Sequence, residues 1–302
     1  MQYQPTEKDI DNAVKAAVTS AKNYDYEIAF FGGSFTAIDR EYMLSLLKCA
    51  HKYVENKTVS GIRLSTRPDA IDEEILTILK KYGVTSIELG AQSMCDDVLT
   101  ANLRGHTAED VKVSSRLIKE YGFSLGLQMM TGLYKSSFEK DIFTAKEIIL
   151  LAPDTVRIYP TITIENTMLG TLYGSGEYKP NTLEESVNLC ALLLKMFSEN
   201  NIEVIRLGLH YSDDLEKGML YNNYHPAFKE LCESKIMLDE FLRLCGEKNI
   251  PTDTALNVAV NPKSVSKFVG QKRANISKLL EMGYDVKAVQ DGKLGMYELR
   301  IL

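Results

Sequence analysis

The sequence predicts an α/β fold of repeated strand–helix units followed by a smaller α/β module, and three observations predict it. Short β-branched, apolar runs alternate with longer segments of helical period. Through the fifth strand the units recur at about thirty residues, a spacing that suits right-handed parallel crossovers in either a barrel or an open sheet. Each strand also runs into residues that packing does not require, among them Gly32-Gly33-Ser34, Thr66-Arg67-Pro68 and Gly90-Ala91-Gln92. Ligands of parallel α/β folds bind at the carboxyl ends of strands, so these turns describe one shared, barrel-like mouth.

Taken in order, the pattern predicts a helix over Glu7 to Ala21 and a strand over Glu27 to Phe31. A helix over Arg40 to Val54 precedes a strand over Gly61 to Ser65, and a helix over Asp72 to Tyr82 precedes one over Ser86 to Leu89. Helices over Ala108 to Tyr121 and Phe138 to Leu151 lead to strands over Ser124 to Gln128 and Thr155 to Tyr159. After an irregular stretch, a helix over Leu183 to Asn200 feeds a sixth strand, Glu203 to Leu207. Beyond it, Tyr224 to Leu231 opens a helix reaching Cys245. The terminal module reads as strand Ala255 to Val260, helix Ser264 to Met282, strand Val286 to Val289 and strand Gly295 to Leu302. The expected domains are residues 1–212 and 213–302.

Composition narrows the function. The chain has 302 residues, 45% hydrophobic and 25% charged, and no run approaches the roughly 18 apolar residues that span a bilayer. Its first twenty residues lack a basic start, an apolar run and a cleavage site, so a cytoplasmic location without membrane partners is expected. Net charge is −6, yet residues 261–302 carry eight Lys or Arg against four Asp or Glu, a local +4 behind a body of −10. The five cysteines, Cys49, Cys95, Cys190, Cys232 and Cys245, form no CxxC or CxxxCxxC and read as small buried hydrophobes. Four scattered histidines, His51, His106, His210 and His225, show no ligand spacing, so no metal residues are assigned.

The mouth residues are weak singly. Gly32-Gly33 offers unblocked backbone for an anion or simply a tight turn, and no Gly-Lys-Ser/Thr makes it a phosphate loop. Pro68 holds Arg67 extended, within reach of the mouth or of solvent. Glu88 and Gln92 lie four apart at the end of the third strand, where a buried carboxylate or amide needs a polar ligand or loop groups as partners. Arg104, before Gly105-His106, suits bidentate pairing with a carboxylate.

Together they are specific. FFGGSFTAI, STRPD, ELGAQSMCDDVL with NLRGHT, LQMMTGL, RIYPTITI with LYGSGEYKP, and IRLGLH with YHPAFKEL occur in that order from Glu27 onward. This series resembles the radical S-adenosylmethionine enzymes of the elongator-catalytic-subunit type and, more distantly, oxygen-independent coproporphyrinogen oxidases. The resemblance implies a partial (β/α)6 TIM-like barrel, lacking its first strand, that holds S-adenosylmethionine against a [4Fe–4S] cluster. By it, Gly32, Gly33 and Ser34 meet the methionyl amino group, and Gln92 and Arg104 meet the ribose and carboxylate. Gln128 takes a ribose position often held by Asp, and Tyr159 with Pro160 lies where the strand backbone meets adenine. Ser65 departs from the Glu that many relatives place there.

In the family a CxxxCxxC loop supplies the cluster's thiolates, and this chain has none. Two accounts follow: the chain is truncated before those cysteines and inactive in radical chemistry as it stands, or it is a non-catalytic S-adenosylmethionine- or RNA-binding protein. Either way the strand from Glu27 is expected to expose an unpaired edge. The same relatives modify tRNA, which implies tRNA binding through the basic module and a reductant protein if the enzyme is active. Within that module Val269 to Ile276 is loosely similar to a KH-type Gly-x-x-Gly loop, with Arg273 in place of the second glycine. A basic amphipathic helix explains the same residues.

Overall fold

The computed structural model describes residues 4–20, 25–210 and 217–302. Ala21 of the expected first helix and the boundary at 212/213 lie outside the described residues. By internal contacts the chain divides into one unit of 1–158 with 200–206, and a second of 159–199 with 207–302.

The first unit carries the repeats. Strands β1 (Glu27–Phe30), β2 (Gly61–Thr66), β3 (Val84–Gln92), β4 (Ser124–Thr131), β5 (Thr155–Pro160) and β6 (Glu203–Leu207) lie side by side in chain order. The pairings of β1 with β2, β2 with β3 and β3 with β4 are parallel. The helices α1 (Glu7–Ser20), α2 (Arg40–Glu55), α3 (Glu73–Lys81), α4 (Asp96–Ala101), α5 (Ala108–Glu120) and α6 (Phe138–Leu150) connect them. Four of these start on a side-chain cap set just beyond a strand-end loop. Asp39 accepts from the Tyr42 amide at 2.9 Å, Asp72 from Ile75 at 2.8 Å, Ser137 from Lys140 at 3.3 Å, and Thr107 forms a capping box with Asp110. The caps turn the chain back along the sheet and leave the loops at the mouth.

Alternation along the strands sorts the two faces. Ile62, Leu64, Ile87, Leu89, Leu125, Leu127, Val156 and Ile158 are buried on the side where α2, α3, α5 and α6 pack. The opposite parity, Arg63 and Ser65, Glu88, Gly126 and Gln128, and Arg157, lines the other face. That face is concave: Arg157 of β5 lies 4.8 Å from the ring of Phe31, just past β1. Four strand spacings in a flat sheet are about 19 Å, so the sheet curls as a partial barrel. At its edge β1 pairs, among the strands of the described residues, with β2 alone, and an apolar groove of about 750 Å³ runs between α1 and β1.

The second unit contains α7 (Met168–Gly174), α8 (Leu183–Glu199), α9 (Phe228–Glu247), α10 (Val265–Val269) and α11 (Ala274–Glu281). It also holds a three-stranded sheet ordered β8 (Tyr284–Gln290), β7 (Thr254–Val260), β9 (Leu299–Ile301). Strands β7 and β8 are parallel, whereas β9 is antiparallel to β7 and shorter than expected. Phe241, Phe268, Val258, Val260 and Leu279 form its core. The single helix expected over Ser264 to Met282 is two helices. Gly270, Lys272 and Arg273 have φ of 80°, 51° and 65°, and the Asn275 side chain donates to the Lys267 and Phe268 carbonyls, ending α10. The stretch expected to be irregular contains α7, opened by Thr167, whose hydroxyl accepts from the Gly170 amide at 3.0 Å.

Candidate functional site

A bulge builds the centre of the mouth. The β3–β4 register shifts between Gly90 and Gln92, so Gln92, with φ of 64°, is re-aimed at the strand's end. A side chain at Gly90 would stand 2.7 Å from the Gln92 amide nitrogen, so glycine there lets the amide fold back. Gln128 Nε2 donates to Gln92 Oε1 at 3.2 Å. The bulge carbonyl, Ala91 O, accepts from Nε2–H of buried His106 at 3.1 Å, which docks the Arg104-Gly105-His106 turn against β3.

Arg104 is the electrostatic anomaly of the site. Burial pulls its guanidinium down from the ordinary value, and no acidic side chain among the described residues pairs with it. Its Nε is buried without a partner, and one terminal nitrogen rests 3.0 Å from Met130 Sδ, a weak acceptor. A half-buried cation without a counter-ion gives up part of its hydration, and an arriving anion would offset that loss.

The first loop is held open beside β2. Gly32 has φ of 101°, and a Cβ on Gly32 or Gly33 would meet nothing within 4 Å. Ser65 donates to the Gly33 carbonyl at 3.3 Å, and the Thr36 and Thr66 hydroxyls lie 2.6 Å apart. Ser34 stands just before the one-turn helix Phe35–Ala37 and makes no cap with its side chain.

Two of the charged site residues expected from the sequence have charged protein partners. Arg67 is extended, as Pro68 requires, but its guanidinium is bonded to Asp69 and lies beside Gly105. This pairing holds the Asp69 carboxyl below its ordinary value. Glu88 is buried on the concave face, where it pairs with Arg157 at 2.6 Å and Arg63 at 3.5 Å. It is a strut beneath the mouth. Tyr159 lies near the carboxyl end of β5.

Sequence reasoning gave His106 and Ser65 no part in holding the site and missed Met130. The signal for Met130 was its parity with Gln128 along β4; for His106 it was only adjacency to Arg104.

The donor set fits the polar parts of S-adenosylmethionine: an uncompensated cation for a carboxylate, paired amides for hydroxyls, and open glycine backbone for an ammonium group. It does not fit a [4Fe–4S] cluster. No three His, Cys, Asp or Glu side chains converge among the described residues, and Cys49, Cys190, Cys232 and Cys245 are buried.

Curled parallel sheet and strand-end site define a partial-barrel α/β protein with an anion- and nucleoside-compatible mouth. The model for the Radical SAM superfamily matches residues 1–145, and that for the Radical_SAM C-terminal domain matches residues 153–237. The chain belongs to the radical SAM superfamily. It is similar to a tRNA uridine(34) acetyltransferase of Methanocaldococcus jannaschii, 33% identical over 54% of this chain and 34% of that protein. It is also similar to human Elongator complex protein 3, 32% identical over 56% of this chain and 35% of that protein. The chain thus spans about a third of the length of the curated relatives it matches. Among solved structures, the archaeal Methanocaldococcus infernus Elp3 with an N-terminus deletion superposes with a TM-score of 0.61, at 24% identity, over 81% of this chain and 58% of that one. No helix among the described residues is long and apolar enough to cross a membrane.

Proposed function

We propose that the chain binds S-adenosylmethionine at the mouth of its partial barrel and serves, in the cytoplasm, in radical-type modification of tRNA. Arg104 carries the reading, because it is a half-buried guanidinium whose Nε is buried without a partner and which no carboxylate of the described residues pairs with. In this assignment Arg104 takes the methionyl carboxylate, while Gly32, Gly33 and Ser34 take the ammonium group. Gln92 and Gln128 take the ribose, Tyr159 lies along the adenine, Arg67 borders the pocket, and Glu88 supports it from below. A [4Fe–4S] cluster, if one were held, would supply the electron for reductive cleavage of S-adenosylmethionine to a 5′-deoxyadenosyl radical. The thiolates for that cluster are not supplied by the described residues, so the chain alone is inactive in this step and an electron-donor protein matters only where the cluster is held.

A second reading, a non-catalytic S-adenosylmethionine- or RNA-binding protein, is favoured by the scattered cysteines, four of them buried. The first reading and the S-adenosylmethionine-binding form of the second require the ligand. Calorimetric titration of S-adenosylmethionine is expected to show binding that Arg104→Gln weakens at least about tenfold, the value of a charge-assisted bond. Undiminished binding by the variant, or none by the native chain, sinks both. Anaerobic reconstitution separates them: a [4Fe–4S]⁺ resonance with 5′-deoxyadenosine formation would contradict the chain's inactivity. Support for tRNA comes from the similarity to tRNA uridine(34) acetyltransferases and from exposed Lys272 and Arg273 in the basic module. Salt-dependent tRNA retention that survives Lys272→Glu with Arg273→Glu would exclude the module.

A further inference from the structure

Two consecutive methionines on β4 differ in exposure. Met129 is fully buried, whereas Met130, on the parity of Gln128, is half-buried and within reach of small solutes. Its Sδ lies 3.0 Å from a terminal nitrogen of Arg104, the guanidinium that no carboxylate of the described residues pairs with. A thioether is a weak acceptor, so the charge is contacted without being compensated. Leu103 and Gly105, on either side of Arg104, are exposed, which leaves this turn open to solvent.

A second methionine rests on a cation and marks what is particular about Met130. Met296 Sδ is 3.4 Å from Lys267 Nζ, but Lys267 already pairs with Glu233 at 2.9 Å. A stronger acceptor at Met296 would compete with a carboxylate in place. At Met130 it would meet a cation that still lacks its anion, and would change what Arg104 can bind.

We propose that Met130 is a modification site: a peroxide oxidises its thioether to the sulfoxide, whose oxygen takes Arg104 and competes with a ligand carboxylate. The step is a two-electron oxygen transfer. The Sδ lone pair attacks one oxygen of hydrogen peroxide, the S–O bond forms as the O–O bond breaks, and the proton of the transferred oxygen passes to the other, which leaves as water. Sulfur is oxidised and the peroxide reduced. The three rotatable bonds of methionine let the new oxygen reach the nitrogen that the sulfur touches. Sulfoxide reductases return the thioether, so the block is reversible. Its ligand, but not the Met130–Arg104 contact, rests on the S-adenosylmethionine reading above.

Limiting hydrogen peroxide on the full chain, with oxidised methionines located by peptide mass spectrometry, tests it. Met130 is expected to react along with exposed Met168, Met282 and Met296, and ahead of buried Met43, Met129 and Met237. S-Adenosylmethionine affinity should then fall at least about tenfold, the value of a bond to a charged group, and recover on treatment with reductases for both sulfoxide epimers. Met130→Leu removes the target and, measured against its own untreated affinity, should lose nothing to peroxide. If that variant fails to fold, native protein fractionated by extent of oxidation should lose affinity in step with Met130 sulfoxide and not with the other three. An arginine-selective dicarbonyl reads Arg104 without the cofactor, and oxidation should slow its modification at least about threefold. A native chain that binds no S-adenosylmethionine would remove the cofactor reading, while slowed Arg104 modification would leave this site standing. Resistance of Met130 while Met168 reacts, affinity and Arg104 reactivity that both hold once Met130 is oxidised, or a peroxide loss in Met130→Leu equal to the native one would overturn it.

Discussion

The Glu88 carboxylate and the Arg157 guanidinium, on strands two positions apart, meet at 2.6 Å on the concave face of the sheet, and Arg157 continues to the ring of Phe31. Arg63 joins Glu88 to Glu27 at the sheet's edge, so charges of alternating sign tie β1, β2, β3 and β5 beneath the ligand mouth. Glu88 is almost fully buried, while the two arginines keep a quarter or less of their side-chain surface. Removing its charge leaves two cations facing each other. Glu88→Gln is expected to cost about 3 kcal/mol in urea denaturation, the low end for breaking a buried pair because the arginines retain some water. Adding Arg157→Gln should restore part of that loss. A single-variant loss below about 1 kcal/mol would show that the network is surface-like.

Two glycines of neighbouring strands separate stability from ligand binding. A Cβ at Gly126 would fall 2.6 Å from Glu88 Cγ and 3.1 Å from Thr155 Oγ1, inside the strut. Gly126→Ala should destabilise the protein by about 1–3 kcal/mol, the cost of overpacking. A Cβ at Gly90 meets the free end of the Gln92 side chain, which can swing away at little cost. Gly90→Ala is thus expected to keep its melting temperature and lose the Gln92–Gln128 contact. S-Adenosylmethionine affinity should fall for Gly90→Ala and remain measurable for Gly126→Ala; the reverse pattern would misplace the site.

Asp141 gives the protein a pH dependence of uncommon sign. Its carboxylate accepts from the Gly132 amide at 2.8 Å and the Ser136 hydroxyl at 2.6 Å, pinning the loop that follows β4. Burial outweighs these bonds and raises the carboxyl from 3.8 to about 6. Between these values the folded state holds a proton that the unfolded state has released. Stability from this group is therefore full below about pH 4 and lost as pH rises through about 6, a change of about 3 kcal/mol. Asp69, held low by Arg67, acts oppositely and loses its contribution as the solution becomes acid. Chemical denaturation of Asp141→Asn across this window should remove the declining limb. A native-like decline in the variant would assign it elsewhere.

The order of strands and helices was legible because β-branched runs and helical period repeat at crossover spacing, and the six strands lie in chain order. Legible too was the placement of Gln92, Gln128 and Tyr159 toward the carboxyl ends of their strands. What the sequence did not display was pairing across strands. The ion pairs of Glu88 could not be read because Arg63 and Arg157 are 25 and 69 positions away, and the curl of the sheet brings them together. The break in the terminal helix was hidden for a related reason. The stretch from Ser264 to Met282 reads as one helix by composition, while Lys272 and Arg273 are left-handed beside a tertiary contact of Asn275.

That contact closes the second unit's small sheet against α9. Asn275 Nδ2 donates to the Ser234 carbonyl of α9 at 2.8 Å and to Phe268 and Lys267 of α10 at 3.1 and 3.3 Å. One amide thereby serves the end of one helix and the middle of another, at the floor of a core that contains Phe241 and Phe268. Asn275 is also pressed against Gly270, where a Cβ would stand 2.8 Å from the Asn275 amide nitrogen. Asn275→Ala strips the shared donor from three carbonyls and is expected to cost about 2–3 kcal/mol. Asn275→Asp should cost at least as much, because it sets a carboxylate oxygen against the same carbonyls. Hydrogen exchange is the direct measurement. Amides of β7, α10 and α11 should lose protection together in both variants, while those of β2 and β3 are unaffected. Loss confined to the Gly270 to Arg273 turn would mean that Asn275 shapes the loop without holding the unit together.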